Sequence, residues 1–315
     1  MKNKIPKIIK KELKAEVLNI KRITEGFSHQ MYLVKINKFP EEVIIRFSNN
    51  TKKDSNLSKE KYIIETLRKN KIPAPKILGF SEDYMIIEKI QGEKLDNIWN
   101  NLTKQEKISI TEKIGKLAKD IHKIKLSKFG KIEERGNIKS DEAFKFRKTG
   151  KKSRYSSWLR EFLKMYTDDL ARLASYPLIS RKFLAKAMNY TLINSDTINY
   201  KGKPTLIHGD LFPGHIFVRK INGKYKIIGI IDFEFAQSHA PEYDFIKLHR
   251  NRFFDIPELK QALEKGYGKI NIEAVEIYRI TRDLGFAWAV LESGNKKLSN
   301  KTIKDIEKRL DKKIT

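Results

Sequence analysis

Hydrophobic and polar positions along the chain change their rhythm near residue 90. Before that point the pattern is mostly that of short strands. The basic stretch 1–20 predicts a short amphipathic helix, after which Ile23–Ile36 reads as strand, tight Gly turn and strand. Val43-Ile-Ile-Arg-Phe47 is a third strand, an apolar run rich in β-branched residues and broken by one cation. Ser58–Lys69 carries Tyr62, Ile63, Ile64 and Leu67 at helical spacing, and Ile72-Pro-Ala-Pro75 ends that helix, because the residue before a proline leaves the helical region. Lys76–Phe80 and Tyr84–Glu88 then predict a strand pair around the polar turn Ser81–Asp83. The sum is a small, five-stranded, mainly antiparallel unit with one helix.

Beyond Gln91-Gly92 the periodicity becomes helical. Leu102–Ile124 places Ile110, Ile114, Leu117, Ile121 and Ile124 close to one face. Helices are also predicted around Ser157–Leu173 and Arg181–Thr191, and near 257–266, 272–293 and 300–313. The stretch 128–153, rich in Lys, Gly and Glu, is the most irregular, and no internal repeat or long linker interrupts the chain. Two lobes are expected: 1–90, and 91–315.

Composition changes this picture little. Of 315 residues 40% are hydrophobic and 33% charged, as a soluble globular protein requires. No apolar run reaches the roughly 18–20 residues that cross a bilayer, and Lys breaks every apolar run near the N-terminus, leaving no signal-peptide core. The absence of Cys excludes disulfides, thiolate metal sites and a Cys nucleophile. A cytoplasmic protein with no membrane partner is expected. The net charge of +27 would attract phosphate polymers, yet the Lys residues are spread among many Ile and Asn and no nucleic-acid-reading motif accompanies them. No specific nucleic-acid partner is therefore expected.

The chemistry concentrates in Leu206-Ile-His-Gly-Asp-Leu-Phe-Pro-Gly-His-Ile-Phe-Val218, followed by Ile230-Ile-Asp-Phe-Glu234. Asp210 and Asp232 lie 22 residues apart, the spacing of a catalytic loop, a short hairpin and a metal-binding turn. The plain alternative is two buried turns that contain Asp, a common turn residue. Order, spacing and upstream features argue for function. Together with Glu25-Gly-Phe-Ser28, Ile44-Ile-Arg46, Lys59-Glu-Lys61, Ile72-Pro-Ala-Pro75, Ile121-His122 and Glu242-Tyr-Asp244, these residues resemble the aminoglycoside phosphotransferase family, the small-molecule branch of the protein-kinase-like fold. The anchors run from about residue 23 to 250.

That resemblance implies an α+β, bilobal protein-kinase-like fold, with a small antiparallel β-sheet N-lobe and a larger, mainly helical C-lobe. It also implies ATP or GTP between the lobes, Mg²⁺, and phosphoryl transfer to a hydroxyl. Asp210 would be the catalytic base and Asp232 a direct Mg²⁺ ligand. His215 stands where the family pattern has Asn; macrolide phosphotransferases and certain aminoglycoside 2″-kinases resemble it in this. It would bind the metal directly, hold a metal-bound water, or merely pack. Imidazole suits softer ions better than it suits Mg²⁺. Gly26, Phe27 and Ser28 would form the turn over the phosphates. Arg46 would replace the family's phosphate-contacting lysine with Glu60 as its helix partner, the alternative for Glu60 being a solvated helix face. The Glu88-Lys-Ile90 backbone would meet the nucleobase, while His208 and Asp244 would support the catalytic loop. Trp158, Tyr166 and Trp288 would line the acceptor pocket or belong to the core.

The leading expectation is a small-molecule kinase, with an antibiotic (aminoglycoside or macrolide) as acceptor; a metabolic kinase for a sugar or amino alcohol is the alternative. The segment 128–190 holds 16 Lys/Arg against 7 Asp/Glu, which suits a neutral or anionic acceptor better than a polycation, unless Asp168, Asp169, Glu234 and Glu242 form a local acidic pocket. A nucleotide-binding pseudokinase and a basic RNA-binding protein are the readings from other classes. Protein kinase activity is disfavoured, since no Ala-Pro-Glu element follows the metal turn.

Overall fold

The computed structural model describes residues 1–23, 30–48, 57–140, 156–177 and 179–314. Helix α1 (Ile5–Leu13) is shorter than its polar–apolar pattern predicts. Lys14 adopts a left-handed conformation that ends it, and strand β1 (Val17–Ile23) begins six residues before the expected start. The strands β2 (Gln30–Ile36), β3 (Glu42–Phe47), β4 (Ile77–Phe80) and β5 (Tyr84–Glu88) join β1 in one antiparallel sheet, ordered β1-β2-β3-β5-β4, and helix α2 (Leu57–Lys69) packs against it.

Strand β3 is apolar throughout because both of its faces are covered. Val43, Ile45 and Phe47 join Ile5 and Ile9 of α1, whereas Ile44 turns toward the cluster holding Ile63, Ile64 and Leu67 of α2. Side chains alternate along a strand, so Arg46 shares the α2 face with Ile44. On α2, Glu60 shares the inward stripe of Ile63, Ile64 and Leu67. Strand and helix periodicities thus aim Arg46 and Glu60 at each other. Glu60 is buried, not on a solvated face.

The rest of the chain is mainly helical: α3 (Leu95–Trp99), α4 (Lys104–His122), α5 (Ser157–Ala174), α6 (Arg181–Ile193), α7 (Ile246–Arg250), α8 (Pro257–Tyr267), α9 (Ile272–Glu292) and α10 (Lys296–Ile314). Two small sheets lie among the helices. Strand β10 (Ile216–Ile221) pairs with β11 (Lys224–Ile230) and with β6 (Glu93–Lys94). The other has the order β8 (Ile138–Lys139), β7 (Gly130–Ile132), β12 (Gln237–His239), β9 (Thr205–Ile207). Helix α4 opens on a reciprocal Thr103–Glu106 capping box, while Ser156, Ser180 and Asn271 cap α5, α6 and α9.

One core joins α2 to α4, α8 and the loops around β9–β11; a second, aromatic core unites α5, α6, α9 and α10. Trp158 and Tyr166 are fully buried in the second core, where the Trp158 indole N–H donates to the Tyr278 hydroxyl at 2.8 Å. They are core residues rather than pocket lining. No helix among the described residues is long and apolar enough to cross a membrane.

Candidate active site

The loop after β9 is fixed from below by one buried carboxylate. Asp244 accepts the backbone N–H groups of His208 (2.9 Å) and Gly209 (2.8 Å), and its Oδ2 lies 3.0 Å from Nε2 of His122. Burial pushes the Asp244 carboxyl upward, but the His122 hydrogen bond and neighbouring positive charge outweigh it and hold the group below the usual carboxylate range. Gly209 has φ +77°, and a β-carbon there would run into the Phe235 carbonyl, so the tight turn requires glycine.

His208 is a strut. Its Nδ1 accepts the Asp210 N–H at 3.2 Å, which leaves the proton on Nε2 to donate to the Ile231 carbonyl at 2.9 Å. The ring therefore ties the Asp210 loop to the segment carrying Asp232. A second tie runs from the Ile231 N–H to the His215 carbonyl, at 3.0 Å. Asp232 itself sits in the left-handed region, φ +70°, which Asp tolerates better than most residues.

Between the two acids stands His215. Its Nδ1 is 3.0 Å from the Asp210 carbonyl, an acceptor only, so this nitrogen carries the proton. Nε2 points at Asp232 Oδ2, 3.3 Å away, and Nδ1 lies 3.8 Å from Asp210 Oδ2. Burial, then the nearby His208, push the His215 pKa down against the pull of Asp232 and Asp210. The neutral ring consequently presents an Nε2 lone pair to a carboxylate oxygen, an arrangement that a cation between them would satisfy.

Arg46 and Glu60 form a buried ion pair, and Arg46 Nε has no hydrogen-bond partner among the described residues. Burial raises the Glu60 pKa, with Arg46 opposing and Asp232 adding to the rise. Next to Glu60, Lys59 donates to the Glu234 carbonyl at 2.7 Å, tying α2 to the turn that bears Asp232. Gly26, Phe27 and Ser28 lie outside the described residues. The Glu88–Ile90 segment begins at the last residue of strand β5. The Glu88 N–H donates to the Lys76 carbonyl (2.9 Å) and its carboxylate accepts the Lys76 N–H (2.8 Å), while the Ile90 carbonyl accepts from Gly92 at 3.1 Å. These bonds use the Glu88 N–H and the Ile90 carbonyl, and the Ile90 side chain packs over Gly229.

Two cations at the site escape a reading of sequence alone. Lys247 Nζ lies 2.9 Å from Asp210 Oδ1, and Arg282 Nη2 donates to the same oxygen at 3.1 Å while Nη1 donates to the Gly209 carbonyl. Lys247 follows Asp244 by three residues on one helical turn, a spacing that could have flagged it; Arg282, on α9, has no local signal. His122, one of the anchors of the family resemblance, supports Asp244. Of the four carboxylates considered for an acidic pocket, Asp168 pairs with Lys164 at 2.7 Å, Asp169 pairs with Arg172 at 3.5 Å, and Glu242 lies near His122.

A family model, the phosphotransferase enzyme family, matches residues 19–279. The chain belongs to this family. Solved structures agree on the fold. The GDP complex of aminoglycoside 2′-phosphotransferase-IIIa superposes with a TM-score of 0.68 at 16% identity, over 99% of each chain. A protein from Thermobifida fusca assigned as a fructosamine-3-kinase gives 0.69 at 14% identity, over 98% of this chain and 99% of that one. A thermostable mutant of aminoglycoside phosphotransferase APH(4)-Ia, with ADP and hygromycin B, gives 0.68 at 15% identity over 98% of each. No curated protein matches the chain. The antiparallel sheet with a larger helical region is thus the kinase-like aminoglycoside phosphotransferase fold, and the protein is a phosphotransferase acting on hydroxyl groups of small substrates.

Proposed function

We propose that the protein transfers the γ-phosphoryl group of ATP or GTP to a hydroxyl of a small acceptor, with Asp210 as base and with Asp232 and His215 holding Mg²⁺. The observation that carries this reading is the approach of Asp210 and Asp232 to the two nitrogens of one imidazole. The spacing of the two donors fits the ion. Two ligands at about 2.1 Å on adjacent octahedral positions are about 3.0 Å apart, close to the 3.3 Å between His215 Nε2 and Asp232 Oδ2. Among the described residues no cluster of three or more metal-ligating side chains forms. Mg²⁺ takes its remaining ligands from phosphates and water. When bound, the ion neutralises charge on the phosphate oxygens.

The chain's own residues do the rest. Asp210, aligned through Asp244 and His208, orients the acceptor hydroxyl and takes its proton as the oxygen bonds to the γ-phosphorus. The bond to the bridging β–γ oxygen breaks, and the nucleoside diphosphate leaves. Arg46 Nε, a buried donor lacking an acceptor among the described residues, is suited to a phosphate oxygen. The Arg46–Glu60 pair and the Lys59–Glu234 link would hold that donor at a fixed distance from the metal turn. His208, Asp244 and His122 are positioning residues.

Acceptor chemistry divides the two readings of the site. An aminoglycoside is a polycation, and the structures that match include aminoglycoside kinases with such acceptors bound. Here Lys247 and Arg282 flank Asp210, which favours a metabolite over an antibiotic. A coupled assay of nucleotide consumption with ATP and GTP, run against sugars, amino alcohols, aminoglycosides and macrolides, tests the proposal. Asp210→Asn should lower turnover about 10²–10⁴-fold while nucleotide still binds. Unchanged turnover in that variant would contradict it.

A further inference from the structure

The two oxygens of Asp210 face opposite kinds of group. Oδ2 faces His215 and, beyond it, Asp232. Oδ1 faces the helices, taking Lys247 from α7 at 2.9 Å and Arg282 from α9 at 3.1 Å. With nucleotide phosphates on the Asp232 side, the acceptor must approach from the side of Oδ1. This argument rests on the kinase reading above.

The two cations are not equivalent. Arg282 spends both ends of its fork on the loop, on the Gly209 carbonyl and on Asp210, so it is a positioning residue. Lys247 has three donors, and Asp210 is its single anionic partner among the described residues. Its ammonium sits 5.4 Å from the centre of the Phe212 ring, and the Arg282 guanidinium lies equally far from the ring of Phe235, which is 46% exposed. Each aromatic face supports a cation without neutralising it. With Asp210 ionised, the trio carries one surplus positive charge.

A substrate hydroxyl bound to Asp210 brings its own substituents within a few bonds of Lys247. A cationic substituent would meet two like charges there. An anionic one would take the free donors of the ammonium and release Asp210 to the hydroxyl. We infer that the acceptor is a small hydroxylated anion, bearing a carboxylate or phosphate a few bonds from the reacting hydroxyl, and that Lys247 is the residue that selects it.

Matched acceptors test this directly. With Mg²⁺ and ATP, consumption is measured on glucose against gluconate and glucose 6-phosphate, on glycerol against glycerate and glycerol 3-phosphate, and on kanamycin as a polycation. The anionic members should be used at least about tenfold more efficiently than their neutral twins. Lys247→Met should raise KM for the anionic members about 10–100-fold, the loss expected of one charge-assisted hydrogen bond, and should cost the neutral members a clearly smaller factor. Lys247→Arg should keep the preference. Equal use of neutral and anionic twins, no use of the anionic members, or an equal loss on all acceptors in Lys247→Met overturns the inference. In the first and last cases the kinase reading stands. A protein that neither binds nor consumes ATP overturns both.

Discussion

The two sides of Asp210 are built on opposite electrostatic plans. On one side Asp232 and His215 supply a carboxylate and a lone pair, a surface that seeks a cation. On the other, Lys247 and Arg282 seek an anion. A base between such surfaces is polarised across its own carboxylate. On the proposed function, metal-bound phosphate would belong to one oxygen, while the other is guarded by groups that an acceptor would have to displace or satisfy. The first plan follows from the chemistry that every kinase of this type performs; the second is free to vary with the acceptor. On that reading, catalytic type and substrate choice would be separable in this molecule, residue by residue.

Breaking the cation-seeking side from behind should have the largest effect on the folded protein. Glu60→Gln leaves the Arg46 guanidinium buried without its partner, and removing one member of a buried pair costs about 3–5 kcal/mol. Denaturant unfolding should register that loss, with weaker ATP binding beside it. A stability within about 1 kcal/mol of wild type, an allowance the size of a surface pair, would mean that the pair is solvated and contributes little.

A smaller effect, confined to acid, sharpens the other side. His239 is fully buried, its ring centre 5.0 Å from that of Tyr243, and neither ring nitrogen has a hydrogen-bond partner among the described residues. Burial first, then Arg282 and Lys59, push its pKa down to about 3. The unfolded chain takes up a proton near the ordinary value while the folded chain does not. The stability this histidine preserves is therefore complete above about pH 6.5 and is lost as pH falls toward 3. The slope approaches about 1.4 kcal/mol per pH unit for one such group. His239→Phe should flatten that part of the stability–pH curve, and an unchanged curve would assign the slope to other groups.

What the sequence discloses follows the same division. His208, Asp210, His215 and Asp232 fall within one short stretch whose turns and spacing are local, so their convergence is legible in the order of residues alone. Arg46 and Glu60 are legible by another route, since strand alternation and helical period independently point them inward. Lys247 and Arg282 reach Asp210 from 37 and 72 residues away; the three-residue step from Asp244 is a local hint of Lys247, while no local pattern points to Arg282. The early start of β1 is hidden because its burial pattern lacks strict alternation. Strands of two or three residues, such as β6, β8 and β12, are too short to show a period.

The central claim is that Asp232 and His215 hold the metal while Asp210 does the chemistry, and calorimetry can separate these roles. ATP affinity would be measured with and without Mg²⁺ in the wild type, in Asp232→Asn and in Asp210→Asn. The account predicts that Mg²⁺ strengthens ATP binding in the wild type and in Asp210→Asn, and that Asp232→Asn loses most of this gain. If Asp232→Asn keeps the full Mg²⁺ dependence, or if Asp210→Asn turns over as fast as wild type, the assignment of the two carboxylates is contradicted.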